Sequence, residues 1–367
     1  MAADCLVVGL GFAGAVVAER LASAGKKVRA IDQRGHLGGN CYDCLDETGI
    51  LVQKYGPHIF HTDNATVWNY LSQFTEWLPY EHKVQANVGG KKVSLPVNLN
   101  SLDQLFSENE AKTIAAKLIE TFGPGAKVSI MQLRQSADHD LKKVADEIYQ
   151  KIFHNYTKKQ WGVPPEELDP AIIERVPLWT DRDERYFKDK FQGIPRHGYT
   201  KMFERLLGHP NIEVVLNEEF KPANSQDYEQ IVYTGPIDDY FNHQHGRLPY
   251  RSLSFYFEKI GQPWYQEVAV VNFPGTEGFT RVTEFKHLTG QEHEATAIVR
   301  EYPEEHLPEK NIPSYPIMNE ASRAQYQKYQ AEAAKLENVA FVGRLAEFKY
   351  YDMDDVVERG LSVARNI

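Results

Sequence analysis

Residues 5–8 are an unbroken apolar run, followed at once by Gly9-Leu10-Gly11-Phe12-Ala13-Gly14. An alanine-rich stretch over 12–24 then shows helical spacing, and Gly25 punctuates its end. A second apolar run, 28–31, stops at Asp32. This order predicts a β-α-β unit. From about residue 66 to 155 strand signals thin out, apart from a hairpin over 84–95 turning at Gly89-Gly90. Stretches 108–121 and 138–153 have helical periodicity, so an inserted helical domain is expected, closed by a proline-rich joint from Val163 to Pro177. Beyond residue 210 short β-rich runs return, over 212–216, 230–234, 253–257, 267–272 and 296–300, and suggest an antiparallel or mixed sheet. A helix over 318–337, a strand over 339–342 and a closing helix from about Met353 complete the pattern, with no internal repeat.

The chain has 367 residues, 42% hydrophobic and 25% charged, which suits two or three interlocked domains and excludes global disorder. Its 41 basic and 51 acidic residues give a net charge of −10, which argues against nucleic acid or an anionic membrane as a general partner. A local basic pocket for a phosphorylated ligand remains compatible with that balance. Three cysteines cannot frame a disulfide-dense fold, and no apolar run nears the roughly 20 residues that span a bilayer. The N-terminus enters a strand within four residues with no signal-like region before it, so a cytoplasmic protein is expected.

Gly9, Gly11 and Gly14 stand between a predicted strand and helix, with Asp32 lying 21 positions beyond Gly11. Glycines there permit a tight turn and close approach of backbone to a pyrophosphate at the helix N-terminus, and the acid accepts from ribose hydroxyls. Gly38-Gly39 just after Asp32, and the late Phe341-Val342-Gly343-Arg344, favour FAD over NAD.

Cys41 and Cys44 have redox spacing but lack the helix N-terminal position that activates a thiolate, and no metal site is expected. His58 and His61, after the Gly56-Pro57 turn, either face a ligand or are structural. Tyr156 and Trp161 could stack a nucleobase or pack a core. Arg175, Arg281 and Arg344 could each clamp a diphosphate or simply be solvated. The tyrosines at 315, 350 and 351 could bond phosphate or merely pack.

Taken in order, GLGFAGAVVAERL, HLGGNCYD, YGPHIFHT, NYTKKQWG, DERYFKDKFQGIPRHGYT, VYTGPIDDYF, YRSLSFYFE, FTRVTEFKH, YPI and FVGRLAEFKYYDMD resemble the UDP-galactopyranose mutase family over nearly the whole chain. The resemblance implies an α/β architecture: a Rossmann-like FAD-binding domain, an inserted helical domain and a mixed or antiparallel β-sheet substrate domain. The expected boundaries are 1–65 with about 196–240 and 318–367 for the first, 66–165 for the second, and about 166–195 with 241–317 for the third. A mobile loop near 163–180 would close over substrate. The implied reaction interconverts UDP-galactopyranose and UDP-galactofuranose on reduced FAD, through a flavin N5–sugar adduct, with no net redox change.

The same resemblance implies roles. Gly9, Gly11, Phe12, Gly14, Asp32, Gln33, Gly39, Asn40, Tyr55, Gly56, His58, Gly343, Arg344, Tyr351, Asp352 and Met353 would contact FAD. Trp161 and Tyr156 would hold the uridine, with Phe153, Thr157 and Asn272 nearby. Arg175 and Arg281 would clamp the diphosphate, with hydroxyls from Tyr186, Tyr315 and Tyr350. His61 and Asp352 would lie beside the reacting flavin and sugar. A homodimer, reduction by NAD(P)H or another donor, and supply of furanose to a surface polysaccharide are further expectations.

Three positions depart from the family pattern: Trp179 stands where a second arginine is common, Phe279 where a tyrosine is usual, and Ser314 beside Tyr315 in place of tyrosine. They leave open another nucleotide sugar, UDP-N-acetylgalactosamine or dTDP-fucose. Competing readings are an amine-oxidase-like flavoenzyme, which needs none of Trp161, Arg175 or Arg281, and a flavin-bearing sensor without chemistry.

Overall fold

The computed structural model describes residues 3–168, 177–221, 227–308 and 310–367. They form two compact units: residues 1–80, 189–252 and 306–367, and residues 81–188 with 253–305.

The first unit is built on the predicted β-α-β: β1 (Cys5–Val8), α1 (Phe12–Ser23) and β2 (Val28–Asp32). Its sheet runs in the order 212–216, β2, β1, 230–233, 339–341, with every pairing parallel. The runs at 212 and 230 therefore differ from the expected antiparallel or mixed pairing. Both lie beside the first β-α-β strands, 230–233 as a largely buried inner strand and 212–216 as a partly exposed edge. In β1, Cys5 and Val7 pack with Val16, Val17 and Leu21 of α1, with Phe203 of the helix Tyr199–Leu206 and with Val357 of the helix Met353–Ala364. Leu6 joins Ile31 and Ile231 in a separate cluster, as the period-two alternation of a strand requires. An antiparallel sheet of Phe60–Thr62, Phe191–Pro195 and Trp77–Pro79 in this unit carries His61.

The second unit combines helices with a sheet. The hairpin Val84–Val88/Lys91–Leu95 forms as predicted, on a Gly89-Gly90 turn with φ of +58° and +87°. Two consecutive positive φ values match the twist of a two-residue hairpin, and glycine adopts them without strain. The hairpin joins the sheet through parallel pairing of Val84–Ala86 with Val270–Asn272. From there the order continues through Arg281–Glu284 and Thr296–Glu305 to residues 253–260 of a long strand. The strand Arg281–Glu284 had no sequence prediction.

The helical stretch predicted over 138–153 runs on to Trp161 and consists of three pieces in continuous sequence. His139–Ile148 is α-helical, Tyr149–His154 is a π-helical turn, and Asn155–Trp161 is α-helical again. A π turn adds a residue to the helix and rotates everything after it, a device that recurs at functional sites. Among the described residues, no helix is long and apolar enough to cross a membrane.

Candidate active site

In the first unit the glycine turn is a cradle bounded by backbone. A Cβ on Gly14 would stand 1.9 Å from the Gly9 carbonyl oxygen, so only glycine lets α1 approach β1 this closely. Gly11 caps α1 without a side-chain hydrogen bond, and no acid occupies the first helical turn. The helix therefore presents its N–H groups and the positive end of its dipole without a built-in anion. The second glycine pair closes the other side: a Cβ on Gly39 would come within 3.0 Å of the Gly11 Cα.

Asp32, nearly fully buried at the end of β2, is oriented by two backbone donors. The Leu10 N–H reaches Oδ2 at 2.8 Å and the Arg34 N–H reaches Oδ1 at 2.9 Å. A carboxylate has about four acceptor positions, so capacity for ribose hydroxyls is left. A narrow glycine cradle, an uncapped helix N-terminus and an oriented acid fit a dinucleotide.

Around that cradle, Phe12 packs on Phe203 and Tyr199. Gln33 is exposed, and Asn40 accepts from Arg34, whose guanidinium lies over the Tyr55 ring. His58 is fixed by its Nδ1 on the Gly56 carbonyl at 2.8 Å and by its backbone N–H on Gln53. Gly343 approaches Ala13 on the first turn of α1, and its N–H donates to Glu347. Arg344 reaches the Tyr351 carbonyl at 2.6 Å and lies beside the rings of Tyr315 and Tyr350, which stack 12° from parallel. Asp352 is the N-cap of the helix Met353–Ala364, a structural duty that the motif did not reveal. Cys41 is buried with its Sγ on the Met353 sulfur, and burial pushes its thiol far above the usual range, which opposes thiolate chemistry.

His61 Nδ1 contacts Asp189 Oδ2 at 3.2 Å. That hydrogen bond holds the Asp189 carboxyl below its ordinary range. On acidification the unfolded chain takes up this proton first. The stabilisation is therefore complete above about pH 4 and is lost as pH falls through the lower folded value. Asp189→Asn is expected to flatten the acid limb of a stability–pH curve, read as urea midpoints from pH 6 down to 2. An unchanged slope would remove this pair from the acid response.

In the second unit a pocket is lined by Ala86, Leu95, Ile152, Phe153, Tyr156, Tyr186, Asn272 and Pro274. It brings together four residues of the expected uridine and phosphate set: Phe153, Tyr156, Tyr186 and Asn272. Phe153 lies in the π-helical turn, and Tyr156 follows it three positions later. Thr157 and Trp161 share that helix but are not among the lining residues; Trp161 is buried.

Arg281 pairs across the ladder with Asn272 on one side and Glu301 on the other. Its Nε stands 2.6 Å from Oε1 of Glu301, which is completely buried. Burial raises the Glu301 carboxyl and the guanidinium opposes that shift, so the pair holds Arg281 in one orientation. Sequence reasoning missed Glu301; the available signal was an acid two positions after the apolar run Ala297-Ile298-Val299. Arg175 lies outside the described residues.

The departing positions have partners of their own. Trp179 carries the Lys188 ammonium 3.6 Å above its ring, and Phe279 packs edge-on against Phe273 and Tyr302. The Ser314 carbonyl accepts from Arg344.

A family model described as UDP-galactopyranose mutase matches residues 151–350, and one for an NAD(P)-binding Rossmann-like domain matches 7–74. The chain is 41% identical over 365 residues to a probable UDP-galactopyranose mutase of Klebsiella pneumoniae, covering 98% of this chain and 94% of that protein. It is 38% identical over 369 residues to a dTDP-fucopyranose mutase of Escherichia coli, covering 98% and 97%. The crystal structure of a reduced UDP-galactopyranose mutase superposes with a TM-score of 0.75 at 16% identity, covering all of this chain and 94% of that one, a likeness of fold. With more than half the chain matched by the family model and near-complete alignment to relatives above 30% identity, the chain belongs to the UDP-galactopyranose mutase family.

Proposed function

We propose that this isomerase interconverts UDP-galactopyranose and UDP-galactofuranose with reduced FAD bound. The observation that carries the reading is Arg281, oriented by buried Glu301 and paired with Asn272, which lines the aromatic pocket of Phe153, Tyr156 and Tyr186.

In this reading the Gly9–Gly14 turn and the α1 N-terminus take the FAD pyrophosphate, and Asp32 takes the adenosine ribose. Gly39, Gly343 and Arg344 bound the cofactor's path, with His58 and His61 toward the isoalloxazine. When bound, reduced flavin supplies the nucleophile for exchange at the anomeric carbon. The protein's own work is electrostatic and positional. Phe153 and Tyr156 hold the uracil, while Arg281, with Arg175, neutralises the diphosphate as it departs and keeps it in place for recapture. Tyr186, Tyr315 and Tyr350 donate hydroxyls to the same phosphates. The FAD-binding part comprises 1–65, about 196–240 and 318–367. The same proposal has the enzyme working as a cytoplasmic homodimer reduced by NAD(P)H, with the furanose sugar destined for a surface polysaccharide.

The dTDP-fucopyranose mutase relative, at nearly the same identity, supports a second reading in which the same chemistry acts on another nucleotide sugar. One experiment separates them: product analysis of dithionite-reduced and oxidised protein with UDP-galactofuranose, UDP-galactopyranose, UDP-N-acetylgalactosamine and dTDP-fucose. Ring interconversion only in the reduced tubes is expected, fastest with the UDP-galactose pair. Faster turnover of dTDP-fucose would move the assignment to that sugar. No conversion by a flavin-loaded, reducible protein would end the mutase reading.

A further inference from the structure

Between Asn272 and Arg281 the chain makes a loop through Phe273, Pro274, Gly275, Gly278 and Phe279. One backbone bond, from the Phe273 N–H to the Thr280 carbonyl at 2.8 Å, closes its base. Beyond that point the loop carbonyls have left the ladder, and proline contributes no N–H. Lys159 meets three of them with one ammonium: the carbonyls of Phe273, of Glu277 at 3.0 Å and of Phe279 at 2.9 Å. Lys159 stands on the helix Asn155–Trp161, three positions after Tyr156 and two before Trp161.

The donor count explains why lysine suits this place. An ammonium carries three donors on one nitrogen and no acceptor, so it can converge on three carbonyl oxygens. A guanidinium spreads its donors across a rigid plane and cannot gather them at one point. Methionine fills the same length with no donor at all. Burial lowers the ammonium's affinity for its proton, and the nearby Glu277 carboxylate restores part of it.

We propose that Lys159 is a positioning residue: by gathering the loop carbonyls it fixes the hairpin that presents Asn272 and Arg281, and so couples the nucleobase helix to the phosphate-binding arginine. The inference rests on the nucleotide-sugar reading for its consequence, and on the three carbonyl contacts alone for its geometry. It gives Lys159 no contact with substrate. Its effect on binding runs through Arg281.

The test uses flavin-loaded Lys159→Met and Lys159→Arg, with Arg281→Ala alone and combined with Lys159→Met. Amide hydrogen exchange of residues 273–281, without nucleotide, is the first readout. Exchange at least about ten-fold faster in Lys159→Met is expected, with only partial recovery in Lys159→Arg. UDP titration is the second. Lys159→Met should weaken UDP about ten-fold, with flavin content at the wild-type value. In the Arg281→Ala background the same change should add little, because its route is already cut.

Unchanged loop exchange in Lys159→Met overturns the proposal. So does a UDP effect that multiplies with that of Arg281→Ala, which would make Lys159 an independent ligand. Should Lys159→Met fail to fold, Lys159→Arg takes over the exchange measurement, and wild-type exchange there overturns the proposal equally. Wild-type protein that binds no UDP would fell the nucleotide-sugar reading instead, while the exchange result would still decide whether Lys159 holds the loop.

Discussion

Arg281→Ala is expected to lower reduced-enzyme turnover of UDP-galactofuranose by ~10²–10³-fold while the protein stays yellow, since the change removes a charge that develops its worth as the diphosphate departs. Glu301 complicates the measurement in an informative way. The carboxylate is fully buried 2.6 Å from the guanidinium. Removing the arginine leaves it without its charge partner, an arrangement that costs about 3–5 kcal/mol when one member of a buried pair is deleted. Burial already raises its pKa in the intact protein, and loss of the arginine raises it further, so the variant should hold a proton at this site. A group whose folded pKa lies above its unfolded value stabilises most below the unfolded value and loses that contribution as pH rises through the folded one. Arg281→Ala should therefore lose more stability relative to wild type at pH 8 than at pH 5. Adding Glu301→Gln should remove the excess pH dependence without restoring turnover. Urea titrations at the two pH values, beside single-turnover rates, separate the structural loss from the catalytic one. Near-wild-type turnover in Arg281→Ala would discard the diphosphate assignment.

Gly14→Ala and Gly11→Ala should fail differently. The Gly14 Cβ would meet the Gly9 carbonyl oxygen at 1.9 Å and the Val7 side chain at 3.1 Å, so α1 must be driven from β1. A loss of ~3 kcal/mol or more is expected, together with loss of flavin. The Gly11 Cβ would meet only the Gly39 Cα, at an ordinary 3.9 Å. The fold tolerates that methyl, but it would project toward the opening where backbone is expected to meet the pyrophosphate. Gly11→Ala should purify folded and colourless, with a near-normal melting temperature. Gly261→Ala, whose Cβ finds no atom within 4 Å, is the control and should change stability by less than about 0.5 kcal/mol. Flavin absorbance per protein and melting temperature read all three. A fully yellow Gly11→Ala protein would mean that the dinucleotide does not run past this turn.

Local rules make much of this protein legible in its sequence. Period and spacing defined β1, α1 and β2, because burial on both strand faces and a glycine turn leave a dense signature over thirty residues. Asp32 was found by its place at the end of β2, and the 84–95 hairpin by two glycines that alone tolerate its turn. Motif order carried the family.

What remained hidden was non-local. Glu301 lies 20 positions from Arg281, and only antiparallel register sets them opposite each other. Lys159 and the carbonyls it gathers are more than 110 residues apart. The runs at 212 and 230 read as short apolar strands, and nothing in their own residues said that they would lie parallel to β1 and β2. The π turn that precedes Tyr156 leaves no composition of its own. The sequence by itself determined the cradle, the acid beside it and the family, since these depend on steric rules acting over a few residues. Tertiary structure alone decided which charges brace Arg281 and which lysine holds its loop, since register and burial belong to the folded chain as a whole.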